Sequence, residues 1–264
     1  MGISSLNYFK NNALYNNYHS MVPFIDSKSY NIRMSGCHKI YDPNIPCPYY
    51  GNGLHLFEFK QTFEYKLTCL NKNLPIITGI HPGRYDGHYG YTDNKNIKNC
   101  RNGLTVYDSL GSIIYNNEKE LYFLYHRANI GTGRRTIQYS TSKDLITWSE
   151  YNLVNFGKNY NYFNSNMYIS NFFKLGDCYI AILPYVKRVN NAYDSKDNKQ
   201  YYLLFYSYDC IHYHLIGPIL IKNDINTIEH FRIATNKPYI HNNKMYFYEY
   251  NLVKKAINIY SSKL

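Results

Sequence analysis

Long apolar runs are missing from this chain of 264 residues. No stretch approaches the ~18 consecutive apolar residues of a membrane-spanning helix, which excludes a helical transmembrane protein. The first twenty residues, MGISSLNYFKNNALYNNYHS, lack the apolar core of a secretory signal peptide. The six cysteines include no C-x-x-C pair. These absences predict an intracellular protein with free buried thiols, no metal site, no cofactor and no membrane partner.

Charged residues are also scarce, at 18%, and tryptophan occurs once, whereas tyrosine occurs 33 times. Lysine and arginine (29) exceed aspartate and glutamate (18) by 11. A positive surplus favours anionic partners, but the basic residues are scattered, which argues against nucleic acid. The wealth of Asn, Lys, Ile and Tyr matches the codons of an AT-rich genome, such as that of a microbe or a large DNA virus. In a virus, the expected locations are the host cytoplasm and the virion.

Strand signals dominate the rest of the sequence. Short segments rich in Tyr, Phe, Ile and Leu alternate with turns of Asn, Gly, Asp and Lys, and no sustained helical period occurs. The clearest are residues 120–126, 135–140, 178–183, 201–207 and 244–250. The sequence therefore predicts an all-β fold.

An internal repeat refines this prediction. Residues 142–148 (SKDLITW) and 207–213 (SYDCIHY) both read Ser-x-Asp-x-Ile-x-aromatic and start 65 residues apart. The aspartate of each copy is expected to accept hydrogen bonds from the backbone N–H groups that follow it. Repeats near 50 residues with four strands each are typical of propeller blades. Residues 1–264 are thus predicted to form a single five-bladed propeller of four-stranded antiparallel blades, with a two-sheet sandwich as the alternative.

Residues 120–151, ELYFLYHRANIGTGRRTIQYSTSKDLITWSEY, resemble a blade hairpin of the five-bladed propeller superfamily of glycoside hydrolases. That superfamily includes arabinanases, xylosidases, invertases and levansucrases. Residues 17–26 and 103–125 resemble the superfamily's early inner strands, which carry acidic residues. The resemblance implies a propeller that cleaves a glycosidic bond with paired carboxylates in a central cavity. Sialidase propellers share the Ser-x-Asp turn, so the turn marks the fold and not the activity.

Glycoside cleavage usually takes two carboxyl groups, one ionised and one protonated. By resemblance, Asp26 is the base or nucleophile, Asp108 is the second carboxylate, and a later glutamate is the acid. Glu229 is the candidate acid, although an ion pair with Arg232 would also explain it. Residues 162–173, where that acid is first expected, contain none. For Asp26 and Asp108 the alternative role is to cap the turn that follows each residue.

Two further groups are candidate substrate contacts. The segment 81–93, HPGRYDGHYGYTD, places two histidines, two aspartates and an arginine among tyrosines and glycines. Such a loop could bind sugar hydroxyls while a tyrosine stacks on the sugar ring. A metal site and a plain structured loop are the alternatives. The candidate residues of the segment are His81, Arg84, Asp86 and His88.

Arg127, at the end of a predicted strand, could clamp a carboxylate or a phosphate. Phosphate binding leaves a glycoside phosphorylase open as an alternative function. The missing later glutamate leaves a second one open, a carbohydrate-binding propeller without catalysis.

Overall fold

The computed structural model describes most of the predicted strands. Every regular element within the described residues is a β-strand, so the all-β prediction is confirmed. None of the described residues forms a helix long and apolar enough to cross a bilayer. The described ranges are 18–26, 28–38, 53–60, 66–71, 76–78, 111–129, 135–157, 165–167, 171–187, 199–219, 232–233, 238–251 and 256–263.

The first sheet is antiparallel and follows chain order. It consists of β1 (Tyr18–Ile25), β2 (Ile32–His38), β3 (Gly53–Lys60) and β4 (Lys66–Cys69). A short strand, β5 (Ile77–Thr78), pairs with the start of β3.

A nine-stranded sheet follows, built from two successive units. The second unit contains β6 (Ser112–Asn116), β7 (Leu121–Asn129), β8 (Arg135–Ser142) and β9 (Asn152–Leu153). The third unit contains β10 (Ser165–Met167), β11 (Phe172–Leu175), β12 (Cys178–Lys187), β13 (Lys199–Ser207) and β14 (His214–Ile219). A single parallel pairing of Asn166 in β10 with Arg135 in β8 joins the units.

The C-terminal sheet has four strands: β15 (Arg232–Ile233), β16 (Tyr239–His241), β17 (Lys244–Asn251) and β18 (Ala256–Lys263). The second unit and this C-terminal sheet have four strands each, the number that the repeat predicted for a propeller blade, whereas the first sheet and the third unit have five.

The core lies on both sides of β7, because successive side chains of a strand point to opposite faces. Tyr122 and Leu124 pack in a cluster with Leu54 and Leu56 of the first sheet. Their neighbours on the other face, Phe123 and Tyr125, pack with the aromatic and aliphatic side chains of the third unit. Each such fully buried side chain contributes roughly 1.5–3 kcal/mol. The second unit is thus held between the first sheet and the third unit.

The predicted Ser-x-Asp turns form twice with the same hydrogen bonds. Asp144 Oδ1 accepts from the N–H groups of Ile146 and Thr147 at 2.8 and 2.7 Å. In the second copy, Asp209 Oδ1 accepts from the two equivalent N–H groups at 2.8 Å each. The preceding serine also accepts two backbone N–H bonds in each copy. The repeat is therefore a repeat of structure as well as of sequence.

The segment after β9 pairs with the Ser-x-Asp turn of the third unit. Asn155 N donates to the carbonyl oxygen of Ile211 at 3.0 Å, and Tyr213 N donates to that of Asn155 at 2.7 Å. This forms a parallel bridge between Asn155 and His212. The chain leaving the second unit is thereby fixed on the Ser-x-Asp turn of the third.

The prediction of free, buried thiols holds for Cys210, which is free and fully buried. Burial raises the pKa of this thiol to about 12, against the opposing effect of a hydrogen bond from Asn116. Cys178 is free and partly exposed. Cys37 and Cys69 lie in β2 and β4, and Cys47 and Cys100 lie outside the described residues.

Candidate functional site

Asp26 follows β1 and closes a six-residue loop to β2. Asp26 N donates to the carbonyl oxygen of Asn31 at 2.9 Å, and Tyr30 N donates to that of Asp26 at 2.6 Å. The Asp26 carboxylate accepts from Lys28 N at 3.0 Å and from Ser29 Oγ at 2.5 Å. These contacts are those of a turn-capping aspartate.

The same carboxylate also reaches the second unit. Tyr122 Oη in β7 donates to Asp26 Oδ1 at 2.8 Å, across 96 residues of sequence. Arg33 Nε lies 3.1 Å from Asp26 Oδ2 in an ion pair. Burial raises the pKa of Asp26, but hydrogen bonds from Ser29, Tyr122 and Lys28 N and the charge of Arg33 outweigh it. The pKa of Asp26 is therefore lower than usual, and the carboxylate is ionised at neutral pH.

The Asp26 side chain is poorly placed to act on a ligand. Asp26 is 1% exposed, and each oxygen of its carboxylate already has two partners. A nucleophile or base must instead lie within hydrogen-bond reach of substrate or water. This geometry favours the turn-capping alternative for Asp26, and its role as a base stays a prediction.

Arg127 lies on β7, is 3% exposed, and its carbonyl oxygen accepts from Gln138 Nε2 at 2.9 Å. It comes five residues after Tyr122, the partner of Asp26, on the same strand. At ~3.4 Å per residue, about 17 Å separate the Cα atoms of Tyr122 and Arg127. The structure therefore places Asp26 and Arg127 at opposite ends of β7.

Buried polar side chains gather at the end of β7 that carries Arg127, which we call the Arg127 end. Ser112 Oγ accepts from Phe172 N at 3.1 Å, tying β6 to β11. A Cβ atom at Gly111 would lie 3.0 Å from the carbonyl oxygen of Tyr125 and 3.1 Å from the His126 ring, so only glycine fits comfortably. The buried polar residues here are Ser112, His126, Arg127, Arg135, Thr136, Gln138 and Asn171.

Sequence reasoning missed most of this group. Arg127 is a sequence-based candidate, whereas Arg135 is not. In the register of β7 and β8, Arg127 pairs with Ile137 and Asn129 pairs with Arg135, so both arginines lie on one face of the sheet. The available signal was the presence of polar residues at the strand ends of segments that are otherwise apolar.

The other predicted site residues, His81, Arg84, Asp86, His88, Asp108 and Glu229, lie outside the described residues. Glu150, the acidic residue that follows the first Ser-x-Asp turn, is exposed. The described part of the chain contains no group of three His, Cys, Asp or Glu side chains that could hold a metal ion.

No protein-family model matches this chain, and no curated protein sequence matches it. Solved structures, by contrast, share its fold. A thermostable family-43 glycoside hydrolase superposes with a TM-score of 0.51 and 11% identity, over 94% of this chain and 69% of that one.

Two further structures were determined with sugars bound. A mutant Bombyx mori GH32 β-fructofuranosidase in complex with sucrose has a TM-score of 0.50 and 12% identity, over 94% of this chain and 48% of that one. An N-acetylgalactosamine deacetylase from F. plautii, in complex with blood group B trisaccharide, has a TM-score of 0.50 and 13% identity. That match covers 88% of this chain and 63% of the deacetylase.

The chain therefore has the fold of propeller glycoside hydrolases, as the sequence resemblance implied. It spans about half to two thirds of the length of these chains. At 11–13% identity, what they have in common is the fold.

Proposed function

We propose that residues 1–264 form one five-bladed propeller that acts on a carbohydrate by cleaving a glycosidic bond. The observation that carries this proposal is the fold, shared over 94% of the chain with a family-43 glycoside hydrolase. The two structurally equivalent Ser-x-Asp turns and the succession of four- and five-stranded antiparallel units support the propeller architecture.

The substrate is proposed to bind at the Arg127 end. At the opposite end, Asp26 caps its loop, and Asn116 Oδ1 accepts from Lys119 N at 2.9 Å. At the Arg127 end, two buried arginines share one face of the sheet. Asp108 precedes Ser112, the first residue of β6, by four residues, so the chain enters β6 from this end.

The proposed chemistry needs one ionised and one protonated carboxyl group on either side of the scissile bond. Asp108 and Glu229 are the proposed pair, with Glu229 as the acid. Asp26 remains the sequence-based candidate for the base, but its buried and fully engaged carboxylate supports an indirect role. His81, Arg84, Asp86 and His88 are proposed to bind the sugar hydroxyls. Arg127, which is 3% exposed, is proposed to supply positive charge and position this end of the site. The proposed reaction uses no metal or cofactor.

One observation favours a second function, carbohydrate binding without catalysis. Asp26, the carboxylate that the resemblance assigns to the first inner strand, is occupied by three hydrogen bonds and an ion pair. A propeller that uses this aspartate only for structure would retain a sugar cavity without a complete catalytic set. A glycoside phosphorylase, the third alternative, would differ in requiring phosphate for turnover.

Three conservative variants test the proposal: Asp108→Asn, Glu229→Gln and Asp26→Asn. Hydrolysis of arabinan, xylan, levan and sucrose is followed by release of reducing sugar, with and without phosphate. We expect the first two variants to lose activity at least about a hundredfold, as is typical for general acid–base residues, with melting temperatures near wild type.

Asp26→Asn serves as the contrast. It removes the charge opposite Arg33, so we expect a lower melting temperature. Saturable binding of one of these sugars with no product would replace the hydrolase proposal with the binding function. Turnover that depends on phosphate would replace it with the phosphorylase.

A further inference from the structure

Tyr30 has an unusual backbone conformation for a large side chain. Its φ is 60°, in the left-handed region, and 82% of the residue is exposed. Non-glycine residues reach this region at a cost in free energy, because Cβ approaches the backbone. Such strain persists only where the surrounding structure enforces it.

Five other described non-glycine residues have left-handed backbones. Three of them, Glu120, Asn242 and Asn243, are exposed and polar. The other two offset the cost by burial. Leu145 and Cys210, with φ of 67° and 68°, are 1% and 0% exposed. Their side chains gain the free energy of burial in the core. Tyr30 gains little by burial, so packing does not explain why an aromatic residue stands at this position.

Hydrogen bonds anchor the backbone of Tyr30 to Asp26. Tyr30 N donates to the Asp26 carbonyl, and the Asp26 carboxylate is fixed by Tyr122 of the second unit and by Arg33. The ring is therefore presented to solvent from a pre-organised backbone, which reduces the entropic cost of binding a ligand.

The residues that flank Tyr30 in the chain and at the ends of β1 and β2 carry both apolar and hydrogen-bonding groups. Ile25, at the end of β1, is 68% exposed. Asn31 Nδ2 donates to Glu58 Oε2 at 3.2 Å, and Arg33 Nη2 lies 3.4 Å from the same oxygen. An exposed aromatic ring on a loop whose neighbouring residues carry amide, carboxylate and guanidinium groups is suited to a sugar ring, which has an apolar face and a rim of hydroxyls. The Glu58 carboxylate makes this surface less suited to a phosphate backbone.

We propose a second saccharide-binding site in which Tyr30 stacks on a neutral sugar ring and Asn31 and Glu58 bind its hydroxyls. The site lies at the end of β7 opposite to the Arg127 end. It is therefore distinct from the proposed substrate site, and it does not depend on turnover.

Backbone amide NMR tests this site with four probes: maltohexaose, cellohexaose, xylohexaose and arabinohexaose. We expect at least one probe to shift the amides of Lys28 to Asn31 saturably. Tyr30→Ala should weaken that binding about tenfold, and Tyr30→Phe should retain it because the ring is kept. Tyr208→Ala is the matched control: Tyr208 is 63% exposed in another turn, and its loss should leave binding unchanged.

Tyr30→Gly separates binding from folding. Glycine adopts positive φ without steric cost, so this variant should melt at a higher temperature than wild type while it loses the amide shifts. No loop shifts with any of the four probes, or wild-type affinity in Tyr30→Ala, would overturn the proposal. Loop shifts with an oligonucleotide of ten thymidines and with no sugar would also overturn it. Because the readout is local to the loop, a failure to detect hydrolysis would not affect the result.

Discussion

The two Ser-x-Asp turns have the same backbone but different aromatic partners. In the first, Trp148 Nε1 donates to the carbonyl oxygen of Leu145 at 3.1 Å, within the turn itself. In the second, Tyr125 Oη donates to the equivalent carbonyl, that of Cys210, at 2.7 Å. Tyr213, the aromatic of that turn, has its Oη 3.1 Å from Tyr125 Oη instead.

This difference separates two roles within one motif. Serine and aspartate specify the path of the backbone, since their hydrogen bonds are the same in both copies. The final aromatic residue specifies what the turn packs on. Trp148 belongs to the cluster that includes the first sheet, whereas Tyr213 lies 5.1 Å from Phe172, ring to ring, in the cluster of the third unit.

The largest expected effect comes from truncating the two aromatics. Tyr213 is 1% exposed and Trp148 is 7% exposed. Tyr213→Ala should lower the free energy of unfolding by about 4 kcal/mol, because it leaves a closed cavity, and Trp148→Ala by about 3 kcal/mol. Urea denaturation measures both. A loss for Trp148→Ala that equals or exceeds the loss for Tyr213→Ala would contradict this order.

A smaller effect should come from the aspartates, and it should be similar in both turns. Asp144→Ala and Asp209→Ala each free two backbone N–H groups and one serine hydroxyl. We expect each to cost about 1–2 kcal/mol. Asp209→Ala should lower the free energy of unfolding slightly more than Asp144→Ala, because His212 Nδ1 also lies 2.6 Å from Asp209 Oδ2. Costs that differ by more than twofold would show that the two turns are not energetically equivalent. Urea denaturation of the two variants and of wild type gives these values.

The smallest effect is a difference in acid sensitivity. Burial raises the pKa of Asp209, but hydrogen bonds from His212, from the backbone and from Ser207 lower it well below its ordinary value. Burial also raises the pKa of Asp144, but hydrogen bonds from backbone N–H groups outweigh it and lower that pKa below its ordinary value. A folded-state pKa below the unfolded value contributes stability above about pH 4 that is lost as the pH falls further.

Melting curves between pH 7 and pH 2 test this prediction. Wild type and Asp209→Asn should differ at neutral pH and converge in acid, and the gap should be wider than for Asp144→Asn. Curves that stay parallel down to pH 2 would mean that the Asp209 carboxylate adds no pH-dependent stability.

The sequence was sufficient to predict the fold because its signals are local. The serine and aspartate of each Ser-x-Asp turn contact residues no more than three positions away. The hydrogen bonds of the turn can therefore be predicted from this short motif. Strand composition likewise reports on local alternation and burial.

The site was less predictable because its contacts are not local. Asp26 follows an apolar strand, and this pattern fits a turn cap and a catalytic carboxylate equally well. Its partner Tyr122, 96 residues away, decides between an engaged and an available carboxylate. The wide separation of Asp26 and Arg127 also depends on this contact, since nothing in the sequence relates β1 to a particular end of β7.

The bridge between Asn155 and His212 also sets an order of events during synthesis. Asn155 obtains its backbone partners from Ile211 and Tyr213, so 58 further residues must be translated after it before they are available. At ~5–20 residues per second, this interval lasts about 3–12 s. During that time the nascent second unit has an unpaired trailing segment, and chaperone occupancy on stalled ribosomes should fall once residue 213 has left the exit tunnel.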